Sequence, residues 1–172
     1  MLSEKLQNAL SEQINAEYYS AYMYLAMSAA ADQLGLKGTA KWLFCQAQEE
    51  MAHGTHIYQY VLERGAAPAF AAIELPPTAF ADINKIFDMV LSHEQTVTKN
   101  INDIATLAMQ QSDHACYQFM MWFVNEQVEE EASASDILSK LNFIGDNKGM
   151  MLALDNELGR RVFVHPFPNQ NV

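Results

Sequence analysis

The chain has 172 residues, half of them hydrophobic and only 18% charged, which excludes a disordered polypeptide and allows one sizeable core. Ten Lys and Arg against 21 Asp and Glu give a formal net charge of −11, which argues against a nucleic-acid partner and makes cations the natural clients. The opening residues lack a basic segment followed by an apolar one, and the longest mostly apolar run, Ala21 to Ala31, is broken by Ser28 and too short to span a bilayer. A soluble cytoplasmic protein without a membrane partner is therefore expected, with Cys45 and Cys116 as reduced packing residues.

Glycine and proline concentrate in a few places, and helical periodicity fills the intervals. Helices are expected over 4–34, 37–64, 82–110 and 113–144, with a shorter fifth over 149–160 and a Pro-containing tail over 161–172. The first and second helices, like the third and fourth, are separated by two or three residues, so each pair should form an antiparallel hairpin. The linker 65–81, carrying Pro68, Pro76 and Pro77, reaches about 55 Å when extended, against roughly 42 Å for a 28-residue helix. It can cross the whole bundle. The expected fold is all-α: one domain over 1–172, a four-helix bundle with one long crossover and a short fifth helix.

Each long helix carries an apolar stripe at bundle-core spacing, and each stripe is broken near its midpoint. The breaks are Glu17 in the first helix, Glu50 and His53 in the second, Glu94 in the third, and Gln127 and Glu130 in the fourth. The spacing repeats: 33 residues from Glu17 to Glu50 and three more to His53, then 33 from Glu94 to Gln127 and three more to Glu130. Two hairpins built on one plan would gather these groups into a single midplane cluster. An unpaired carboxylate in a dry core costs several kcal/mol or takes up a proton. The nearest bases, Lys37, Lys41 and Arg64, sit toward the ends of the second helix, so bound cations are expected to supply the charge. Carboxylates mixed with imidazole suit iron or manganese, with zinc as a competitor.

With Glu17 and Tyr24 in AEYYSAYMY, QEEMAH at 48–53, SHEQ at 92–95 and NEQVEE at 125–130, the chain resembles the bacterial non-haem ferritins over about its first 160 residues. The resemblance implies iron storage: Fe(II) is oxidised to Fe(III) with O₂ or peroxide at a di-iron ferroxidase centre within the subunit and kept as a ferric mineral in a homo-oligomeric shell of twenty-four subunits. It implies a first iron site from Glu17, Glu50 and His53 with Glu50 bridging, and a second from Glu50, Glu94 and Glu130 with Gln127 close by. A third iron site would draw on Glu49, Glu126, Glu129 and Glu130. Tyr24 would lie beside the centre as a hydrogen-bond or electron donor, with Trp122 another electron source. Gln127-x-x-Glu130 stands where bacterioferritin has a second Glu-x-x-His, which implies a weaker second site. Met51 follows Glu50 as in bacterioferritin, but no haem is expected. The alternative is a peroxidase or oxidase of the rubrerythrin type with a fixed di-iron cofactor. Tyr22, Phe44, Tyr58, Tyr60 and Met121 lie off the core stripes and are expected to serve contacts between subunits.

Overall fold

The computed structural model describes residues 1–167; the last five residues of the tail, 168–172, lie outside the described residues. The helices are α1 (Glu4–Gln33), α2 (Lys37–Glu63), α3 (Ile83–Gln110), α4 (His114–Ile144) and α5 (Lys148–Leu158). Their ends fall within two residues of expectation, and the differences have local causes. Side chains of Ser3, Asp82, Asp113 and Asn147 accept first-turn N–H groups of α1, α3, α4 and α5, satisfying donors that have no partner within the helix. Asn147 takes the N–H groups of both Gly149 and Met150 at 3.1 Å, which starts α5 at Lys148.

The two hairpin turns follow one design. Gly35 has φ +82° and the Leu36 N–H reaches back to the Ala31 carbonyl at 3.0 Å; Ser112 has φ +58° and the Asp113 N–H reaches the Ala108 carbonyl at 2.9 Å. Both are helix-terminating turns with one left-handed residue. Gly35 and Ser112 stand 77 positions apart, the offset that also relates Glu17 to Glu94, Glu50 to Gln127 and His53 to Glu130. The repeat read from the polar residues thus extends to the turns.

Between the hairpins, the crossover has no regular structure and is pinned along α1: Gln7 donates to the Ala67 carbonyl at 2.8 Å, and the Ala69 N–H donates to Ser11 Oγ at 3.1 Å. The apolar core is divided in two. One cluster centres on Met23, Met27, Phe87, Ile137 and Leu141, the other on Leu10, Ile14, Ile57, Ile101 and Met120. Between them lies a polar layer, buried on every helix of the bundle. While α1 packs against α3, no Cα of α2 comes within 8 Å of one in α4. These two helices meet through their side chains, Gln46 with Glu130 and Tyr60 with Phe119 among them. Among the described residues no helix is long and apolar enough to cross a membrane.

Helix α2 has no side-chain cap of its own, and α5 supplies one. Buried Asp155 accepts from the Gly38 N–H at 3.0 Å, the Thr39 N–H at 2.7 Å and the Thr39 hydroxyl at 2.8 Å. A carboxylate at a helix N-terminus also meets the positive end of the dipole. The approach is close enough to require glycine, since a Cβ on Gly38 would lie 1.7 Å from the Asp155 carbonyl oxygen. Asp155→Ala is expected to cost about 1–3 kcal/mol and to release α5 with the tail. Thermal unfolding together with proteolytic cleavage after α4 would register both effects.

Candidate metal centre

Glu17, Glu50 and His53 each present a ligand atom, all within 4.8 Å of one another, and each residue is 1–2% exposed. Two features of the sequence make this possible. Glu50 and His53 are one turn apart on α2, so both point to the same side, and His53 Nδ1 lies 3.6 Å from Glu50 Oε2. On the facing helix, α1 comes close because Gly54 has no side chain; a Cβ there would lie 2.8 Å from the Tyr18 ring and 3.2 Å from Glu17 Cβ.

The electrostatics are those of acids deprived of counter-charge. Burial raises Glu17 to about 7, opposed by hydrogen bonds from Glu50 and Gln13. Glu50 is pushed well above the carboxylate range by burial first, then by Glu94, Glu17 and Glu130. His53 moves the other way, down to about 3, because burial and neighbouring His56 disfavour the imidazolium. At neutral pH it is a neutral ring with lone pairs, as a metal ligand must be. Its 4.0 Å approach to Glu126 through Nε2 is therefore not an ion pair. Buried Glu17 Oε2 and His53 Nε2 have no hydrogen-bond partner among the described residues, which a protein core rarely tolerates.

Glu94 and Glu130 line the same layer, buried at 2% and 7% exposure, but among the described residues they complete no second group of this closeness. Hydrogen bonds hold them. Glu94 accepts from the Tyr24 hydroxyl through Oε1 and from Gln127 Nε2 through Oε2, the latter at 3.1 Å. Glu130 Oε2 accepts from Gln46 Nε2 at 2.7 Å. Tyr24 is fully buried, and burial with the nearby carboxylates raises its hydroxyl well above the ordinary tyrosine value, keeping it a donor. Gln127 also donates to the Glu94 carbonyl at 3.3 Å.

Glu49 and Glu126 are half-buried at the edge of the layer and Glu129 is exposed. Glu126 is raised by burial and then by Glu129 and Glu49, so the three acids share one neighbourhood. The Trp122 ring meets His53 edge-on at 5.5 Å. Three partners carried no readable signal in the sequence. Gln13 donates to Glu17 Oε1 at 2.7 Å and Gln46 to Glu130, yet each looks like an ordinary helical glutamine; the clue was position, four residues before Glu17 and Glu50. The third corrects an expectation. A base does reach the edge of the layer: Arg161, from the tail, donates to Glu49 Oε2.

The ferritin-like domain profile matches residues 7–144. A probable bacterial non-haem ferritin-like protein of Haemophilus influenzae is 40% identical over 160 residues, covering 92% of this chain and 96% of its own. A bacterial non-haem ferritin of Staphylococcus aureus is 40% identical over 163 residues, covering 95% and 98%. A form of the Archaeoglobus fulgidus ferritin engineered to be closed superposes with a TM-score of 0.93 at 46% identity, covering 95% of this chain and 100% of that one. Likeness of this extent takes in both hairpins and the polar layer between them, and the chain belongs to the ferritin family, alongside its bacterial non-haem members.

Proposed function

We propose that this chain stores iron as a ferric mineral inside a shell of its own copies, oxidising Fe(II) at the polar layer on the way. The observation that carries the reading is the buried acid group itself. Glu17 Oε2 has no hydrogen-bond partner among the described residues, Glu17 and Glu50 are held above their ordinary range, and the adjacent His53 is neutral. Divalent cations supply the missing charge and release the carboxyl protons on entry. Glu17, Glu50 and His53 would take the first Fe(II). Glu50 would bridge to a second, held by Glu94 and Glu130, with Gln127 and Gln46 orienting those carboxylates.

Oxidation then needs little from the protein beyond placement. Two Fe(II) give one electron each; with O₂ and two protons the products are two Fe(III) and hydrogen peroxide, and with peroxide and two protons they are two Fe(III) and two waters. Tyr24, hydrogen-bonded to Glu94, and Trp122, edge-on to His53, would be the aromatic side chains nearest the iron, and their contacts support a role in holding its ligands. Glu49, Glu126 and Glu129 would hold a third ion at the edge of the layer. The weaker second site, with the amide of Gln127 where a second bridging carboxylate would stand and Glu130 where a second imidazole would, suits iron that moves on.

Self-assembly is supported by apolar surface. Tyr22, Leu25 and Phe44 are 43–48% exposed on the first hairpin, and Phe143 and Leu152 are 82% and 62% exposed near α5. Tyr60 and Tyr58 are instead partly buried in their own chain, Tyr60 stacking on Phe119 at 3.8 Å and Tyr58 meeting Phe70 at 6.2 Å. Met121 is half-buried too.

Loading with Fe(II) in air, with iron and protein followed together on size exclusion, tests the reading. A large particle that keeps many irons soluble per chain is expected. A small particle that stops at about two irons per chain would point to a fixed di-iron enzyme of the rubrerythrin type.

A further inference from the structure

The tail after α5 follows a defined course. Asp155 docks α5 on the start of α2, Lys41 Nζ donates to the Gly159 carbonyl at 2.9 Å, and the chain then runs along α2. At one end Arg161 lies over the Trp42 ring, Cζ 4.6 Å from its centroid, and donates to Glu49. At the other, Phe167 stacks on His56 at 3.8 Å and meets Trp122 at 4.5 Å. The segment thus runs over α2, with Phe163 and His165 beside Phe44, Met51 and Thr55, and Glu49 is held at its first anchor. The Arg161 and Glu49 side chains are 24% and 18% exposed, so the pair is partly shielded from solvent. The guanidinium thus engages Glu49, one of the acids an edge metal ion would draw on.

We propose that Arg161 is a tethered counter-cation at the mouth of the centre: it occupies the charge position of an edge metal ion, and an ion held by Glu49 and Glu126 must first displace it. The proposal rests on the metal-centre reading above and adds a specificity-determining residue to it. A guanidinium stacked on an indole and hydrogen-bonded to a carboxylate is pre-positioned, so its displacement lowers the affinity of the edge site relative to the buried pair. Ions then leave the edge more readily than the interior of the layer. Trp42 and the docked α5 hold the Arg161 side chain in place, so it returns when the ion departs.

The test is calorimetric titration of the assembled, metal-stripped protein with Zn(II), a redox-silent probe, on wild type, Arg161→Gln, Arg161→Lys and the double variant Arg161→Gln with Glu49→Gln. Size exclusion and thermal unfolding confirm that each variant assembles. In wild type about two equivalents per chain bind tightly and a further one weakly. Arg161→Gln is expected to tighten the further site by about tenfold or more, and adding Glu49→Gln to remove the gain. Arg161→Lys keeps the charge without the planar fork and should fall between; it reads the same competition should Arg161→Gln fail to assemble. An edge site of unchanged or weaker affinity in Arg161→Gln and Arg161→Lys overturns the proposal, as does absence of that site in every variant. Loss of the first two equivalents in wild type would instead overturn the metal-centre reading beneath it.

Discussion

Glu50→Gln is expected to slow Fe(II) oxidation by roughly a hundredfold or more, the scale of losing a shared ligand in a two-metal site. It should also make the metal-free protein more stable. Both effects have one origin. Glu50 is 2% exposed and stands among Glu17, Glu94 and Glu130, with burial the largest influence on it. A neutral amide of the same size cannot ionise among these acids and opens no cavity, so it removes the cost of a buried acid without counter-charge, about 1–3 kcal/mol. Stopped-flow oxidation and metal-free thermal unfolding on one preparation would show rate and stability moving in opposite directions. A Glu50→Gln protein with undiminished oxidation and lowered stability would contradict the account.

Not every carboxylate of the layer behaves alike. From the sequence, deleting any of them, Glu94 included, is expected to relieve repulsion. The hydrogen bonds reverse that expectation for Glu94. Removing it would leave the buried Tyr24 hydroxyl and one donor bond of Gln127 without their acceptor, at a cost of about 1–3 kcal/mol each. Glu94→Ala is therefore the destabilising member of the set.

The second large effect is on pH dependence. Glu17 titrates at about 7 in the fold against 4.5 for an unperturbed side chain. Between these values the folded chain holds a proton that the unfolded chain has lost. Its contribution is fully present below 4.5 and disappears as pH rises through 7, a change on the order of 3 kcal/mol. His53 works in the opposite sense: with a folded value of about 3 against 6.5, its contribution is present above 6.5 and lost as pH falls toward 3. The two oppose each other from 4.5 to 6.5. Above that range the carboxyls act without opposition from His53, and Glu50 and Glu130, also raised by burial, act in the same sense. Metal-free melting temperature should thus fall as pH rises past 6.5. Saturation with Zn(II) should abolish the fall, because the bound ion favours the ionised carboxylates and binds only the folded chain. A metal-free melting temperature that stays flat over this range, with no response to Zn(II), would deny that the acids lack counter-charge.

The layer was legible in the sequence because a bundle helix shows its buried stripe through periodicity, and Glu17, Glu50, His53, Glu94, Gln127 and Glu130 interrupt those stripes at repeated intervals. The hairpins and the crossover were legible because short links and a proline-bearing linker limit how helices can be arranged. What escaped depends on chain that arrives from elsewhere. Asp155 caps α2 across 116 positions and Arg161 reaches Glu49 across 112, and no local pattern announces either. For the same reason the layer was expected to lack any basic neighbour. The two halves of the centre also differ more than the repeat suggests. Glu17 keeps an unpaired oxygen, whereas Glu94 and Glu130 are each engaged by a neighbouring side chain.

The most direct measurement is an anomalous difference map at the iron absorption edge, from crystals of the assembled protein soaked anaerobically with Fe(II). The account predicts a strong peak between Glu17, Glu50 and His53, with a second, weaker peak toward Glu94 and Glu130. Iron found only on surface carboxylates, with none inside the layer, would contradict it.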